Sequence, residues 1–154
     1  MSSPAIRFGR PDERGPLEEL QRRASLMWDE YRPYLLANPD VIELPLAQLQ
    51  ENRVRVVQVQ GRLAGFSAVL PRDGFHELDG LFVEPALWGR GLGRALIADA
   101  LALVRADGAQ ALETVANPRA EGFYDKVGFR IIGRAQTQFG PANRMGISAF
   151  SAQT

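Results

Sequence analysis

Apolar positions along the chain switch repeatedly between helical and strand periods, and the switches divide it into elements. Ile6 to Phe8 opens as a short strand, and Pro11-Asp12-Glu13 with Gly15-Pro16 marks a helix entry. Leu17, Leu20, Ala24, Met27 and Trp28 then recur at helical spacing, with Glu18, Arg22 and Arg23 outside the stripe. From Asp29 to Val41 the prolines Pro33 and Pro39 interrupt an aromatic segment, predicting loop or short helical turns. A second short helix is expected from Leu46 to Glu51. Val54 to Gln60 and Leu63 to Leu70 read as the arms of a hairpin turned at Gln60-Gly61, and Pro71-Arg72-Asp73-Gly74 turns the chain again.

The next strand, Phe75 to Val83, breaks its own alternation. Leu78 would face opposite Leu81 and Val83 in an unbroken strand, so one extra residue near Asp79-Gly80 is expected as a β-bulge, eased by Gly80. A glycine-rich turn follows, and Leu92, Leu96, Ala100, Leu103 and Val104 form the stripe of a long helix ended by Asp107-Gly108. Ala111 to Ala116 is a short strand. Asn117-Pro118 supplies an N-cap and a first-turn proline for a helix with Ala120, Phe123, Tyr124 and Val127 on one face, closed by Gly128. Phe129 to Thr137 and Arg144 to Phe150 read as two last strands, joined by a loop containing Gly140-Pro141-Ala142-Asn143. Antiparallel hairpins followed by one strand-helix-strand crossover indicate an α/β fold of α+β type: a mixed, mostly antiparallel sheet of six or seven strands with helices on both faces.

With 154 residues, 45% hydrophobic and 23% charged, the sequence suits a single domain over residues 1–154 with a substantial core. The formal net charge is zero, so neither nucleic acid nor a membrane surface is an expected partner. Without cysteine there is no disulfide framework, thiolate metal site or cysteine nucleophile, and the single histidine, His76, argues against a histidine-built metal site or a Ser-His triad. His76 points opposite Glu77 in a regular strand, where a structural or surface role is favoured. The N-terminus lacks the apolar core of a signal peptide and no apolar run approaches a membrane span, so a cytoplasmic location is the default expectation.

The sharpest chemistry lies in Glu77 to Leu96, where an apolar strand passes through Pro85 into Gly89-Arg90-Gly91-Leu92-Gly93 and a helix. A helix start carries N–H groups without intrahelical partners and a partial positive charge, so an anionic group can bind there. A Walker A loop fails because Gly93 is followed by Arg94-Ala95 rather than Lys-Ser/Thr, and a dinucleotide fingerprint fails because Arg94 replaces its third glycine. Val83-Glu84-Pro85, Gly89 to Gly93 with Leu96, Asn117, Phe123-Tyr124 and Gly128-Phe129 together resemble, in order and spacing, the GNAT superfamily of acyl-CoA-dependent N-acetyltransferases.

The resemblance implies acetyl-CoA as cofactor, no metal, and a splayed parallel strand pair that the bulge helps to open. The backbone amides of Arg90, Gly91, Leu92, Gly93, Arg94 and Ala95, entered through Gly89, match the cradle for the CoA pyrophosphate. Leu81, Phe82 and Val83 match the strand that pairs with pantetheine and holds the thioester. Asn117 matches a cofactor-arm contact, and Tyr124 the tyrosine near the sulfur. Aligned on Val83-Glu84-Pro85 and Leu96, the family's usual Gln or Arg falls on Trp88, so the grip on pyrophosphate would rest on backbone amides. A shift of two residues would instead put Arg90, Gly93 and Ala95 on the pattern, but it keeps fewer anchors.

The implied reaction is direct attack of an amine on the thioester through a tetrahedral intermediate. Deprotonating a lysine-like amine of pKa about 10.4 at pH 7 costs about 4.6 kcal/mol, so a base is useful. Glu77 is the first candidate and Asp79 the second, directly or through a water. An N–H near Leu81 would stabilise the oxyanion, and Tyr124 would protonate the thiolate. The acceptor, a primary amine of a small molecule or protein, falls to the segment from Trp28 to Leu46 and the loop from Gln136 to Asn143. There Trp28, Tyr31 and Tyr34 either pack the first helix or line a pocket beside Asp29 and Glu30. The alternative is a non-catalytic acyl-CoA-binding regulatory module, and a nucleic-acid-binding protein is disfavoured by the balanced charge. Relatives that dimerise make a homodimer compatible with the resemblance, though no stretch identifies an interface.

Overall fold

The computed structural model describes residues 4–150. Its strands are β1 (Ala5–Phe8), β2 (Val54–Val59), β3 (Arg62–Pro71), β4 (His76–Val83), β5 (Ala111–Ala116), β6 (Arg130–Thr137) and β7 (Gly140–Ser148). The helices are α1 (Arg14–Ser25), α2 (Arg32–Ala37), α3 (Leu46–Gln50), α4 (Leu92–Ala106) and α5 (Glu121–Lys126). The strands form a seven-stranded sheet in the order β1-β2-β3-β4-β5-β7-β6, with β4 and β5 parallel and β1/β2, β2/β3, β5/β7 and β6/β7 antiparallel. This is the expected mixed, mostly antiparallel architecture.

The chain forms two compact units, one comprising the described residues up to Ala68 with Gly80–Leu96, the other Val69–Asp79 with the chain from Ile97 onward. In the first, Val56 of β2 joins Leu17, Leu20, Leu49 and Phe66, whereas its neighbour Val57 joins Ala64, Leu92 and Leu96. Successive strand residues face opposite sides, so α1 and the first turn of α4 cover opposite faces of the sheet here. β4 follows the same alternation: Phe82 packs on the α1 side, 5.3 Å from the Phe66 ring, and Leu81 and Val83 pack on the α4 side. Gly65 is required by a close approach of main chains, because a Cβ there would lie 2.8 Å from the Phe82 carbonyl oxygen.

Two expectations change. The first apolar stripe stops short: α1 ends at Ser25, and three-residue turns (Met27 N–H to Ala24 O, Trp28 N–H to Ser25 O) rotate Met27 off the buried face, leaving it 53% exposed. The expected loop at Gly140-Pro141-Ala142-Asn143 is the beginning of β7, with Pro141 opposite Gln136 of β6. The pairing with β5 begins only at Asn143, so Pro141 is paired on one side and its missing N–H breaks no second ladder. β4 spans His76–Val83, and Gly80, where the extra residue is expected, also serves a packing need, since a Cβ there would stand 2.8 Å from the ring of Phe82.

Candidate active site

In the first unit, the chain leaves β4 through Glu84, takes one 3-10 turn at Pro85–Leu87, and reaches Gly89 and Gly91 before α4. Gly89 and Gly91 have φ of 84° and 80°, a left-handed conformation natural to glycine. A Cβ at either would meet nothing within 4 Å, so the turn is open on that side. Ala95 N–H to Gly91 O closes the first turn of α4, which places the N–H groups of Leu92, Gly93 and Arg94 ahead of the helical ladder. Within the expected cradle the Ala95 amide is engaged in the helix, while those of Leu92, Gly93 and Arg94 lie ahead of its ladder. These residues fit an anionic phosphate group.

Trp88, where a polar side chain is usual in the resemblance, has a different job. Its indole Nε1 donates to the Val83 carbonyl at 2.8 Å, closing the loop between strand and glycine turn, and its ring lies 5.7 Å from that of Trp28. The Val83 carbonyl thus already accepts one hydrogen bond from Trp88. Beside it, Arg23 of α1 binds both oxygens of Glu84 at distances from 2.7 to 3.1 Å, which raises the arginine's affinity for its proton. Trp28 and Arg23 thus tie the end of α1 to the loop that leads to the glycines. The same unit contains a groove of about 770 Å³ lined by Glu18, Glu19, Arg22, Leu35, Asp40 and Glu43, among others, which includes none of the expected cofactor residues.

In the second unit, the parallel ladder pairs His76 with Leu112 and Glu77 with Glu113. At the next step the Thr114 hydroxyl donates to the Leu78 carbonyl at 2.9 Å, so strands can part there without orphaning a buried carbonyl. Glu77 is partly buried and gripped by Arg72, whose Nε and terminal nitrogen both reach Oε1, at 2.8 and 2.7 Å. Its ladder neighbour Glu113 is held by Arg144 at 3.4 Å. Asp79 is exposed. His76 is buried, with Nε2 2.9 Å from Asp107 Oδ2, a structural link between β4 and the residue after α4.

Asn117 caps the turn before α5, its Oδ1 accepting the Arg119 N–H at 2.9 Å. Tyr124 of α5 is 8% exposed and lies between the rings of Phe123 and Phe129, at 5.3 and 5.1 Å in edge-to-face geometry. Burial pushes its phenol up to about 12, a rise that the nearby Thr114 side chain partly offsets. Sequence reasoning passed over Thr114, Glu113 and Arg72. Thr114 had a readable signal, a polar residue on the buried face of Leu112-Thr114-Ala116, whereas the other two depend on strand register and on a turn.

A mixed sheet with one parallel pair, an open glycine turn starting the crossover helix, and a buried tyrosine beyond the next strand define the N-acetyltransferase fold class. The chain belongs to the Acetyltransferase (GNAT) family, whose model matches residues 17–129. It is 39% identical over 61 residues to the peptidyl-lysine N-acetyltransferase YjaB of Salmonella typhimurium, covering 40% of this chain and 41% of that protein. The Escherichia coli YjaB matches at 39% over 64 residues, so the match spans about two fifths of these curated relatives. PaiA N-acetyltransferase of Thermoplasma acidophilum, solved in complex with coenzyme A, shares the fold with a TM-score of 0.77 at 19% identity, over 96% of this chain and 99% of that one. A GCN5-related N-acetyltransferase of Rhodopseudomonas palustris superposes with a TM-score of 0.80 at 23% identity, over 96% and 97%. Among the described residues no group of three or more His, Cys, Asp or Glu could hold a metal ion, and no helix is long and apolar enough to cross a membrane.

Proposed function

We propose that this protein transfers the acetyl group of acetyl-CoA to a primary amine, and that the acceptor is cationic, as a lysine side chain is. The observation that carries the reading is the open turn at Gly89 and Gly91, followed by the amides of Leu92, Gly93 and Arg94 ahead of the helical ladder. Acetyl-CoA, when bound, supplies an activated thioester and a good thiolate leaving group. The chain's own residues would orient it, accept the amine's proton and stabilise the sulfur.

Glu77 is the favoured base, acting through a water, with Asp79 the second choice. Arg72 occupies Oε1 of Glu77 and fixes the carboxylate, leaving Oε2 as the oxygen to receive a proton. Tyr124 would donate its O–H to the sulfur. With its phenol at about 12, complete transfer to an ordinary thiolate of pKa about 8.5 would cost about 5 kcal/mol, so Tyr124 acts first as a hydrogen-bond donor. The main-chain groups of Leu81, Phe82 and Val83 would hold the thioester arm, and Asn117 would contact it beyond β5.

Charge supports the cationic acceptor. The groove beside α1 carries four carboxylates, Glu18, Glu19, Asp40 and Glu43, against the two guanidiniums of Arg14 and Arg22, and it belongs partly to the segment expected to meet the acceptor. The partially matching relatives named as peptidyl-lysine N-acetyltransferases point the same way. Thiol release from acetyl-CoA, measured against lysine peptides, polyamines and amino sugars, tests the reading. Turnover with at least one of these amines, slowed by Tyr124→Phe and Glu77→Gln at nearly constant CoA affinity, is expected. Tight acetyl-CoA binding without turnover would favour the non-catalytic acyl-CoA-binding module.

A further inference from the structure

The loop between β4 and the glycine turn folds back on itself. Glu84 N–H donates to the Ala64 carbonyl at 2.8 Å, Leu87 N–H to that of Glu84 at 2.8 Å, and Trp88 N–H to that of Pro85 at 3.2 Å. With its indole also donating to the Val83 carbonyl at 2.8 Å, Trp88 directs both of its N–H groups into the loop. Trp88 is therefore the last residue fixed from the strand side. Gly89 at φ 84° and Gly91 at φ 80° follow it, and the Ala95 N–H bond to Gly91 O closes the first turn of α4. The turn that offers its amides to phosphate thus hangs between two anchors, Trp88 and the start of α4.

Trp88 is 41% exposed, so burial alone does not hold its ring. The ring packs on that of half-buried Trp28, with centroids 5.7 Å apart and planes tilted by 30°. Trp28 is itself fixed on both sides of its main chain: its N–H donates to Ser25 O at 3.1 Å, and its carbonyl accepts from the N–H groups of Tyr31 and Arg32 at 3.0 and 3.1 Å. In the last turn of α1, Arg23 holds both oxygens of Glu84. The end of α1 therefore grips the loop at its entrance, Glu84, and at its exit, Trp88, which sets orientation as well as position. Glycines left free to rotate would have to be ordered when phosphate binds, and that cost subtracts from affinity. We propose that Trp28 is a positioning residue for the cofactor: by packing on Trp88 it holds the end of the loop from which Gly89 and Gly91 hang, and so keeps the turn ordered before phosphate arrives. This rests on the reading of the glycine turn as the site of the CoA pyrophosphate.

Calorimetry on the folded protein, with CoA and with adenosine 3′-phosphate 5′-diphosphate as probes, tests this. The second probe keeps the pyrophosphate and lacks the pantetheine arm. Trp28→Leu should weaken both by about fivefold, equivalent to about 1 kcal/mol, within the range of one aromatic pair. Trp28→Phe, which keeps a flat ring, should stay within about twofold of the parent. In a Trp88→Leu background, Trp28→Leu should cost less than about twofold, because the ring it acts through is gone. The chain has two tryptophans, so near-ultraviolet dichroism reports on this pair. In the parent it should change as the nucleotide is added and saturate with the calorimetric affinity, and most of that change should vanish in Trp28→Leu. Unchanged affinity in Trp28→Leu, equal losses in both backgrounds, or a loss seen with CoA but not with the nucleotide would overturn the proposal. Trp28→Met takes the place of Trp28→Leu should that variant not fold. A parent protein that binds neither probe would refute the reading of the glycine turn itself, and the proposal with it.

Discussion

Replacing Tyr124 by Phe should make this protein more resistant to alkali and slightly less stable at neutral pH. The Tyr124 phenol lies at about 12 in the folded chain, against an ordinary value of 10.0. Between those two values the folded protein retains a proton that the unfolded chain has released, so stability falls as pH rises. The contribution is fully present below about pH 10 and is lost on the way to about pH 12. Two units at about 1.36 kcal/mol each give a loss of about 3 kcal/mol. The variant escapes that loss but gives up the buried phenol's interaction with the Thr114 side chain, worth about 1 kcal/mol. Its stability curve should therefore start about 1 kcal/mol below the parent near pH 8 and cross above it before pH 12. Urea unfolding followed by circular dichroism, at pH 8 and in steps up to 11.5, provides the measurement. Tyr31, whose phenol burial and Glu30 also raise, titrates in both proteins and cancels from the difference. Parallel curves would refute the argument, because they would mean that the phenol titrates alike in the folded and unfolded chains.

Other substitutions separate strain from contact. Gly91→Ala places a side chain in open space but at φ 80°, so it should cost about 1–2 kcal/mol of stability and weaken CoA binding by calorimetry. Gly65→Ala, whose Cβ would meet the Phe82 carbonyl oxygen at 2.8 Å, should cost at least as much through displacement of β4, seen as a lower thermal midpoint. Trp88→Leu removes the ring contact with Trp28 and the bond to Val83, and should lower stability by about 2 kcal/mol while quenching the near-ultraviolet dichroism of the tryptophan pair. Glu13 is held below its ordinary value of 4.5 chiefly by the Arg7 hydrogen bond, so its contribution is present above about pH 4.5 and lost as pH falls through the lower folded value. Glu13→Gln should flatten the acid limb of the stability profile in the same unfolding assay.

Much of the molecule was legible because it is local. The caps and stops at Asn117, Gly108 and Gly128 follow from side-chain reach and backbone freedom within a few residues, and all three occur in the structure. The glycine turn was legible for the same reason, since its left-handed residues are a property of glycine itself. Met27 leaves the buried stripe because helical spacing says where a stripe continues but not where tighter turns end it. Pro141 reads as loop because proline excludes a strand paired on both sides, and only the sheet reveals that β7 starts beyond the end of β5.

By itself the sequence determined the order of elements, the helix start open to a phosphate and the candidate acid and bases, all matters of period, capping and residue chemistry over short spans. The tertiary structure decided what those groups touch. Glu77 is clamped by Arg72 and ranks beside Glu113, the Tyr124 ring meets those of Phe123 and Phe129, and Trp88 bonds to Val83 and faces Trp28. Strand register and packing set these contacts, and both depend on which distant surfaces bury one another, a choice no local pattern encodes.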